Sequence, residues 1–270
     1  MKLGISSYTY TWAVGVPGYP IAEPMSPLRL LKKAAALGVS VVQIADNLPL
    51  DSLREREQIA LVQAAAAGGI QVEVGTRGIH PSHLANYLNL AQMFNSPILR
   101  VVIDTPDHHP DVPDVIDLLK ESLPAFRDAD ITIAIENHDC FSVKDFKFIL
   151  ETIDSPYLGI CLDTVNSLGA LEGPEVVLEA LGPWTVNLHV KDFNIRRADH
   201  MMGFIIDGTP AGQGRLDLPS LLEQLKPYGR DFNAILELWT PPDSDMHTTI
   251  AREDRWVKDS ITYLRGIVSQ

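Results

Sequence analysis

The sequence predicts a single (β/α)8 TIM barrel over residues 1–270, and three features of the chain carry that reading. A strand-like apolar segment followed by a helical one recurs about eight times, in about the length such a barrel needs. The strand segments are near-continuous apolar runs, as a parallel sheet covered on both faces requires. Polar residues end the later strands, where barrels of this class keep their chemistry. An open doubly wound sheet is the competing arrangement. No Gly-x-Gly-x-x-Gly follows the first strand, which counts against a dinucleotide fold.

Strand one is expected over Lys2–Tyr8, followed by a loop carrying Trp12, Gly15, Pro17 and Gly18. Ser26-Pro27 reads as an N-cap with proline at the first helical position, opening a helix over Leu28–Leu37 that Gly38 ends. The next pairs are Val39–Ala45 with Asp51–Ala67, Ile70–Gly75 (Arg77 closing the strand) with Pro81–Phe94, and Pro97–Ile103 with Val112–Asp128. Then come Ile131–Glu136 with Val143–Ile153, and Leu158–Asp163 with Pro174–Leu181. Strand seven is Thr185–Lys191, and a long loop at about 194–217 precedes its helix, Leu218–Leu225. Loops of that length are disordered or functional; cations, aromatics and glycines after a polar strand end favour function. Ala234–Leu238 is strand eight, and Ile250–Ile267 closes the chain.

At 46% hydrophobic residues and mean hydropathy near zero the chain can bury a full core. The net charge of −13, with no basic stripe, disfavours a nucleic-acid or anionic-membrane surface. Two cysteines, Cys140 and Cys161, fit a reducing compartment better than a disulfide framework. The N-terminus holds no apolar run of signal-peptide or membrane-spanning length, so a cytoplasmic location is expected.

The later strands end in Glu136, Asp163, His189 and Glu237. Crowded carboxylates repel and take up protons unless a cation sits among them. A lone carboxylate or histidine at a strand end is more often a cap or a structural partner; four on neighbouring strands form a ligand set. Oxygen and imidazole donors without a thiolate suit Mn2+ first, with Mg2+, Co2+ or Zn2+ as the other candidates. Alternation along strand seven turns Lys191 to the same side as His189.

Ile135-Glu-Asn, Gly159-Ile-Cys-Leu-Asp163, Leu188-His-Val-Lys-Asp192, Gly212-Gln-Gly-Arg-Leu-Asp217 and Ile235-Leu-Glu237 resemble the xylose-isomerase-like TIM-barrel superfamily. The resemblance covers essentially the whole chain. It implies that Glu136, Asp163, His189 and Glu237 are metal ligands and, by its epimerase branch, that Glu136 and Glu237 also move protons at substrate. Epimerase-like members carry histidine three residues after the strand-six aspartate, where this chain has Asn166, which binds an oxygen but takes no proton. His138 is the compensating candidate for acid or base, with a solvated or helix-capping loop histidine as the alternative.

Lys191 is read as a catalytic group holding an anion or polarising a carbonyl, or else as a cation paired with Asp163 or Glu136. Arg77, Arg196, Arg197 and His200 are candidate binders of a substrate carboxylate or phosphate. Asn166 and Trp12 are expected at the substrate, with Trp239 and Phe204 as apolar walls. Gly212-Gln-Gly214 reads as a turn shaping the pocket rim.

The chemistry expected is metal-assisted stabilisation of an enediolate from a small keto-sugar or 3-keto-sugar acid. Loop arginines beside Met201-Met-Gly-Phe204 and Asn166 lean the resemblance towards lyases, the 3-oxo-isoapionate decarboxylases among them. A ketose 3-epimerase or aldose–ketose isomerase is the alternative. A non-catalytic sugar-binding barrel, or one subunit of a complex such as a C-glycoside deglycosidase, is the reading from another class. A homo-oligomer and a small partner subunit both stay open.

Overall fold

The computed structural model describes residues 1–268. Seven strands run in order around most of a closed parallel barrel: β1 (Leu3–Ser6), β2 (Val41–Ile44), β3 (Gln71–Arg77), β4 (Ile98–Val102), β5 (Thr132–Glu136), β6 (Leu158–Asp163) and β7 (Thr185–Val190). After β7 the chain adds a two-stranded antiparallel sheet, β8 (Asp192–Arg197) and β9 (Phe204–Thr209), outside the barrel. The strand β10 (Ala234–Leu236) then pairs with both β7 and β1 and closes the ring.

The helices begin and end where local chemistry dictates. Ser26 accepts a hydrogen bond from the Arg29 N–H, Pro27 occupies the first turn, and Gly38 takes the left-handed conformation that stops the helix Pro27–Leu37. Asp111 and Ser142 cap the helices Val112–Asp128 and Val143–Ile153 in the same way. Most barrel strands are shorter than the apolar runs, because parallel pairing stops where the chain turns towards a helix, whereas β6 has the expected bounds and β3 extends to Arg77. At the N-terminus, Ser7–Tyr10 already form a 3-10 turn, so the first strand ends at Ser6 rather than Tyr8.

Outward-facing strand residues and the helices share one large apolar cluster, with Ile5, Ile44, Val74, Leu99, Ile133 and Leu188 fully buried in it. Inside the ring the filling is different. Ile98, Ala134 and Cys161 form a small separate cluster, and many of the other inward positions are buried polar residues, among them Gln43, Glu73, Arg100, Asn187 and His189. A polar barrel interior is costly unless each group is partnered. Here Gln43, Glu73 and Asn187 partner one another, and Arg100 is paired with Glu136.

The segment expected as a long loop is instead the β8–β9 hairpin and a tight return. Asp192 anchors its base: Oδ2 accepts from the N–H groups of Gly212 and Gly214, both at 2.9 Å, and Oδ1 accepts from those of Phe193 at 2.8 Å and Leu216 at 3.1 Å. Gly212 has φ +81° and lies against the Tyr263 ring, while any Cβ on Gly214 would overlap the Asp192 carboxylate. The Gly-Gln-Gly sequence is therefore a nest for a side chain of the same protein. The hairpin tip is open to solvent, with Met202 79% and Phe204 65% exposed.

Candidate metal centre and substrate cavity

The register of the last four barrel strands brings Glu136, Asp163, His189 and Glu237 together. Asp163 is the direct neighbour of His189 across β6–β7, and Ile235 pairs with His189 across β10–β7, leaving Glu237 just beyond the strand end. All four side chains are buried to 1% exposure or less. His189 Nδ1 lies 3.2 Å from Glu136 Oε2, 3.5 Å from Glu237 Oε1 and 3.7 Å from Asp163 Oδ2. Lys191, also buried, sets Nζ 2.7 Å from Asp163 Oδ2 and 2.8 Å from Glu237 Oε2.

Three buried atoms here make no well-formed hydrogen bond: Asp163 Oδ2, His189 Nδ1 and Glu237 Oε2. The ligand atoms of these three residues lie within 4.8 Å of one another. Lys191 Nζ answers the charge of the two oxygens, yet three carboxylates and an imidazole nitrogen still converge on one point, an arrangement that a hard divalent ion fits. The other grouping of that spacing, Glu136, Cys161 and His189, fits less well. Burial pushes the Cys161 thiol up to about 12, and its Sγ contacts Asn187 Oδ1 at 3.4 Å, so it is a neutral thiol packed below the carboxylates.

The local field is strongly mixed. Burial opposes the charged form of Glu136, but the Arg100 and His189 charges outweigh it and hold the carboxyl well below the usual range. Asp163 is likewise depressed: burial raises it, and Lys191 and His189 more than compensate. Burial works against a charged His189, yet its neighbours, with Glu237 and Glu136 as the carboxylates, keep it well above an ordinary imidazole. Lys191 is shifted upward despite burial by Asp163, Glu237 and Glu136.

Above the cluster opens a cavity of about 410 Å3, walled by Trp12, Trp239 and Tyr8 and reached by Arg77, His138 and Asn166. Asn166 donates to Glu136 Oε1 at 2.7 Å, and its Nδ2 lies 3.1 Å from His138 Nε2. His138 Nε2 is itself 3.2 Å from Glu136 Oε1. Lys191 Nζ sits 3.3 Å from Asn166 Oδ1 and 6.0 Å from the Trp239 ring centre. Trp12 is fixed by its indole N–H to the Thr240 carbonyl at 2.7 Å. Arg77 lines the cavity but is held by Asp46 at 3.3 Å and by the Asp104 carbonyl at 3.1 Å.

Arg196, Arg197 and His200, expected at the substrate, are not brought to this cavity. They belong to the exposed hairpin and are occupied there: Arg196 pairs with Asp207 at 3.1 Å, Arg197 stacks 4.4 Å over the Phe204 ring, and His200 Nδ1 accepts from the Met202 N–H at 3.2 Å. The antiparallel ladder accounts for this, since it sets β8 side chains opposite β9 partners. Phe204, expected as a pocket wall, is at the same tip.

Sequence reading missed Arg100, Asp46, Tyr8 and Ser6. Arg100 donates from Nε to Glu136 and from Nη1 to Asp46 Oδ1 at 2.8 Å, while Tyr8 donates to Asp46 Oδ2 at 3.0 Å. Ser6 donates to Glu237 Oε1 at 2.7 Å. The signal for Arg100 was present, because a lone cation inside the apolar run Ile98–Val102 must be buried and must have anionic partners.

Residues 31–267 match the family model described as xylose isomerase-like TIM barrel. The chain belongs to that family. A 3-oxo-isoapionate decarboxylase of Pectobacterium atrosepticum is 34% identical over 264 residues, covering 98% of this chain and 95% of that protein. Among solved structures, a D-psicose 3-epimerase of Clostridium cellulolyticum H10, with D-tagatose, superposes with a TM-score of 0.74 at 13% identity, covering all of both chains. A xylose isomerase-like barrel of Mycobacterium smegmatis, in complex with magnesium, gives 0.70 at 12% identity, covering 97% of each chain. At such identities these structures establish the shared fold alone. Among the described residues, no helix is long and apolar enough to cross a membrane.

Proposed function

We propose that this chain is a divalent-metal-dependent lyase that decarboxylates a 3-oxo sugar acid. The chain is a carbohydrate-processing enzyme by its full-length relative, and the specific reaction is our reading. The observation that carries it is that relationship, 34% identity over nearly all of both proteins, together with the convergent buried atoms of Asp163, His189 and Glu237. Glu136, Asp163, His189 and Glu237 are assigned as the ligands, with Mn2+ as the ion expected in use. A divalent cation held there supplies electrostatic stabilisation for negative charge developing on a substrate oxygen.

The remaining steps fall to the protein. Trp12 and Trp239 wall the cavity and limit water at the reacting carbon. Lys191, set between the ligand carboxylates and Asn166 at the cavity wall, offers a cation to a substrate acid group. On loss of CO2 the C–C bonding pair moves into the adjacent carbonyl, giving an enolate. One proton must then be returned to carbon, and His138, at the cavity wall beside Glu136, is placed to deliver it. Only one proton donor is needed, which accommodates Asn166 at the position where an epimerase would have a second group.

The test is NMR of products formed in D2O from a panel of 3-oxo sugar acids and ketoses with metal-loaded protein. CO2 release with one deuterium left in the product supports the lyase. Deuterium entering beside a carbonyl with the carboxylate retained would replace it with an epimerase or isomerase. No turnover of any member, with a second protein co-purifying, would favour a subunit of a larger complex.

A further inference from the structure

We propose that Gln43 is a positioning residue that reserves Nδ1 of His189 for the cation, and that Glu73 fixes Gln43 in the orientation this requires. The inference rests on the metal-binding reading above. A histidine has two ring nitrogens, and which one serves as ligand is set by the hydrogen bond the other makes. Here Nε2 of His189 lies 2.7 Å from Gln43 Oε1, deep in the barrel, while Nδ1 faces the three carboxylates.

A glutamine can present either its oxygen or its NH2 to a histidine, so the side-chain label alone settles nothing. The surroundings settle it. Gln43 Nε2 donates to Glu73 Oε2 at 3.1 Å and to Asn187 Oδ1 at 3.1 Å. Glu73 accepts in addition from Asn187 Nδ2 at 2.9 Å and from Asn233 Nδ2 at 2.6 Å. An acceptor that collects three amide groups draws the Gln43 NH2 towards itself. Turning the amide over would set its oxygen against the Glu73 carboxylate and its NH2 against a ring N–H. With the amide fixed, its oxygen faces His189 and can only accept, so Nε2 keeps its proton and Nδ1 is the nitrogen that takes the ion. Gln43 and Glu73 are at most 1% exposed, so water offers no alternative partner.

The experiment uses the full chain and Zn2+ alone, a diamagnetic probe, with side-chain 15N NMR of His189 and chelator competition for affinity. The wild type is expected to show a slowly exchanging Nε2–H proton and a zinc-bound Nδ1. Gln43→Met, close in volume but without the acceptor, should weaken zinc binding by about 10- to 100-fold. Gln43→Glu combined with Glu73→Gln keeps an acceptor oxygen towards His189 without setting two carboxylates together, and should keep the hydrogen-bonded Nε2–H signal, a distinction that mere packing would not produce. Zinc bound through Nε2, or a Gln43→Met variant binding zinc as tightly as wild type, overturns the inference while leaving the metal centre standing. No zinc uptake by the wild type overturns both. The NMR result on the wild type decides the matter even if the methionine variant does not fold.

Discussion

Arg100→Met is the substitution whose cost the structure defines most sharply. The guanidinium is 2% exposed and bridges Glu136 and Asp46, so the methionine leaves two carboxylates facing one another's field without their shared counter-charge. Removing one partner of a buried pair costs about 3–5 kcal/mol, most of it the penalty of the charge left behind. For a chain of 270 residues the unfolding entropy near 60 °C is roughly 0.6 kcal/mol/K, so Tm should fall by about 5–9 °C. The deficit also has a pH signature. Glu136 and Asp46 are held below their ordinary range, in each case against burial and with Arg100 as the leading cation. Such groups stabilise the fold above the unfolded carboxylate pKa, and that contribution is lost as pH falls through the folded value. The variant lacks the part due to Arg100, keeping only Arg77 beside Asp46 and His189 beside Glu136, so the gap between variant and wild type should be widest near pH 7 and narrow below about pH 4.5, the ordinary carboxylate range. Urea denaturation at pH 7 and pH 4 measures both effects, and Arg100→Met/Glu136→Gln should recover part of the loss. A cost below about 1 kcal/mol at pH 7, or a gap that widens on acidification, would refute the reasoning.

Two other substitutions test parts of the same account. Asp192→Asn replaces one of two accepting carboxylate oxygens by an NH2 group facing backbone donors; amide exchange across 193–216 should accelerate by about 10- to 100-fold, a cost of roughly 1.4–3 kcal/mol, while the barrel strands are unaffected. Glu253 is buried and raised to about 8, with burial as the leading cause, although the Trp12 and Ala13 N–H groups oppose the shift. The folded protein therefore binds the extra proton between about pH 4.5 and 8, and this group's contribution to stability falls as pH rises through that window. Glu253→Gln should gain on the wild type from pH 5 to pH 9 by up to a few kcal/mol, at about 1.4 kcal/mol per pKa unit, in matched thermal melts.

The barrel was legible because eight apolar runs spaced by amphipathic helices leave little other architecture, and the helices Val112–Asp128, Val143–Ile153 and Pro174–Leu181 have the expected bounds. The four residues at the strand ends were legible for a related reason: a polar residue that stops an apolar strand announces itself. The hairpin was not, since β8 offers only Phe193 and Ile195 among polar residues and pairs only with β9, across a turn. Its arginines looked like anion binders because a sequence does not show that Asp207 and Phe204 lie across the ladder from them. Gln43 and Glu73 were hidden inside apolar strands, where a polar residue reads as an outward position until the barrel's interior is seen to be polar. The Asp192 nest was hidden too, because its donors lie 20 or more residues further along the chain.

The central claim is that a divalent ion binds among Glu136, Asp163, His189 and Glu237, and thermal melts with and without Mn2+ test it most directly. An ion at about 100 times its dissociation constant stabilises the native state by about 2.7 kcal/mol, roughly 5 °C for a chain of this size. The account predicts a rise of that order in wild type and none in Glu237→Ala, with the catalytic activity lost alongside. A wild type indifferent to metal, or a Glu237→Ala variant that responds and turns over as wild type does, would contradict it.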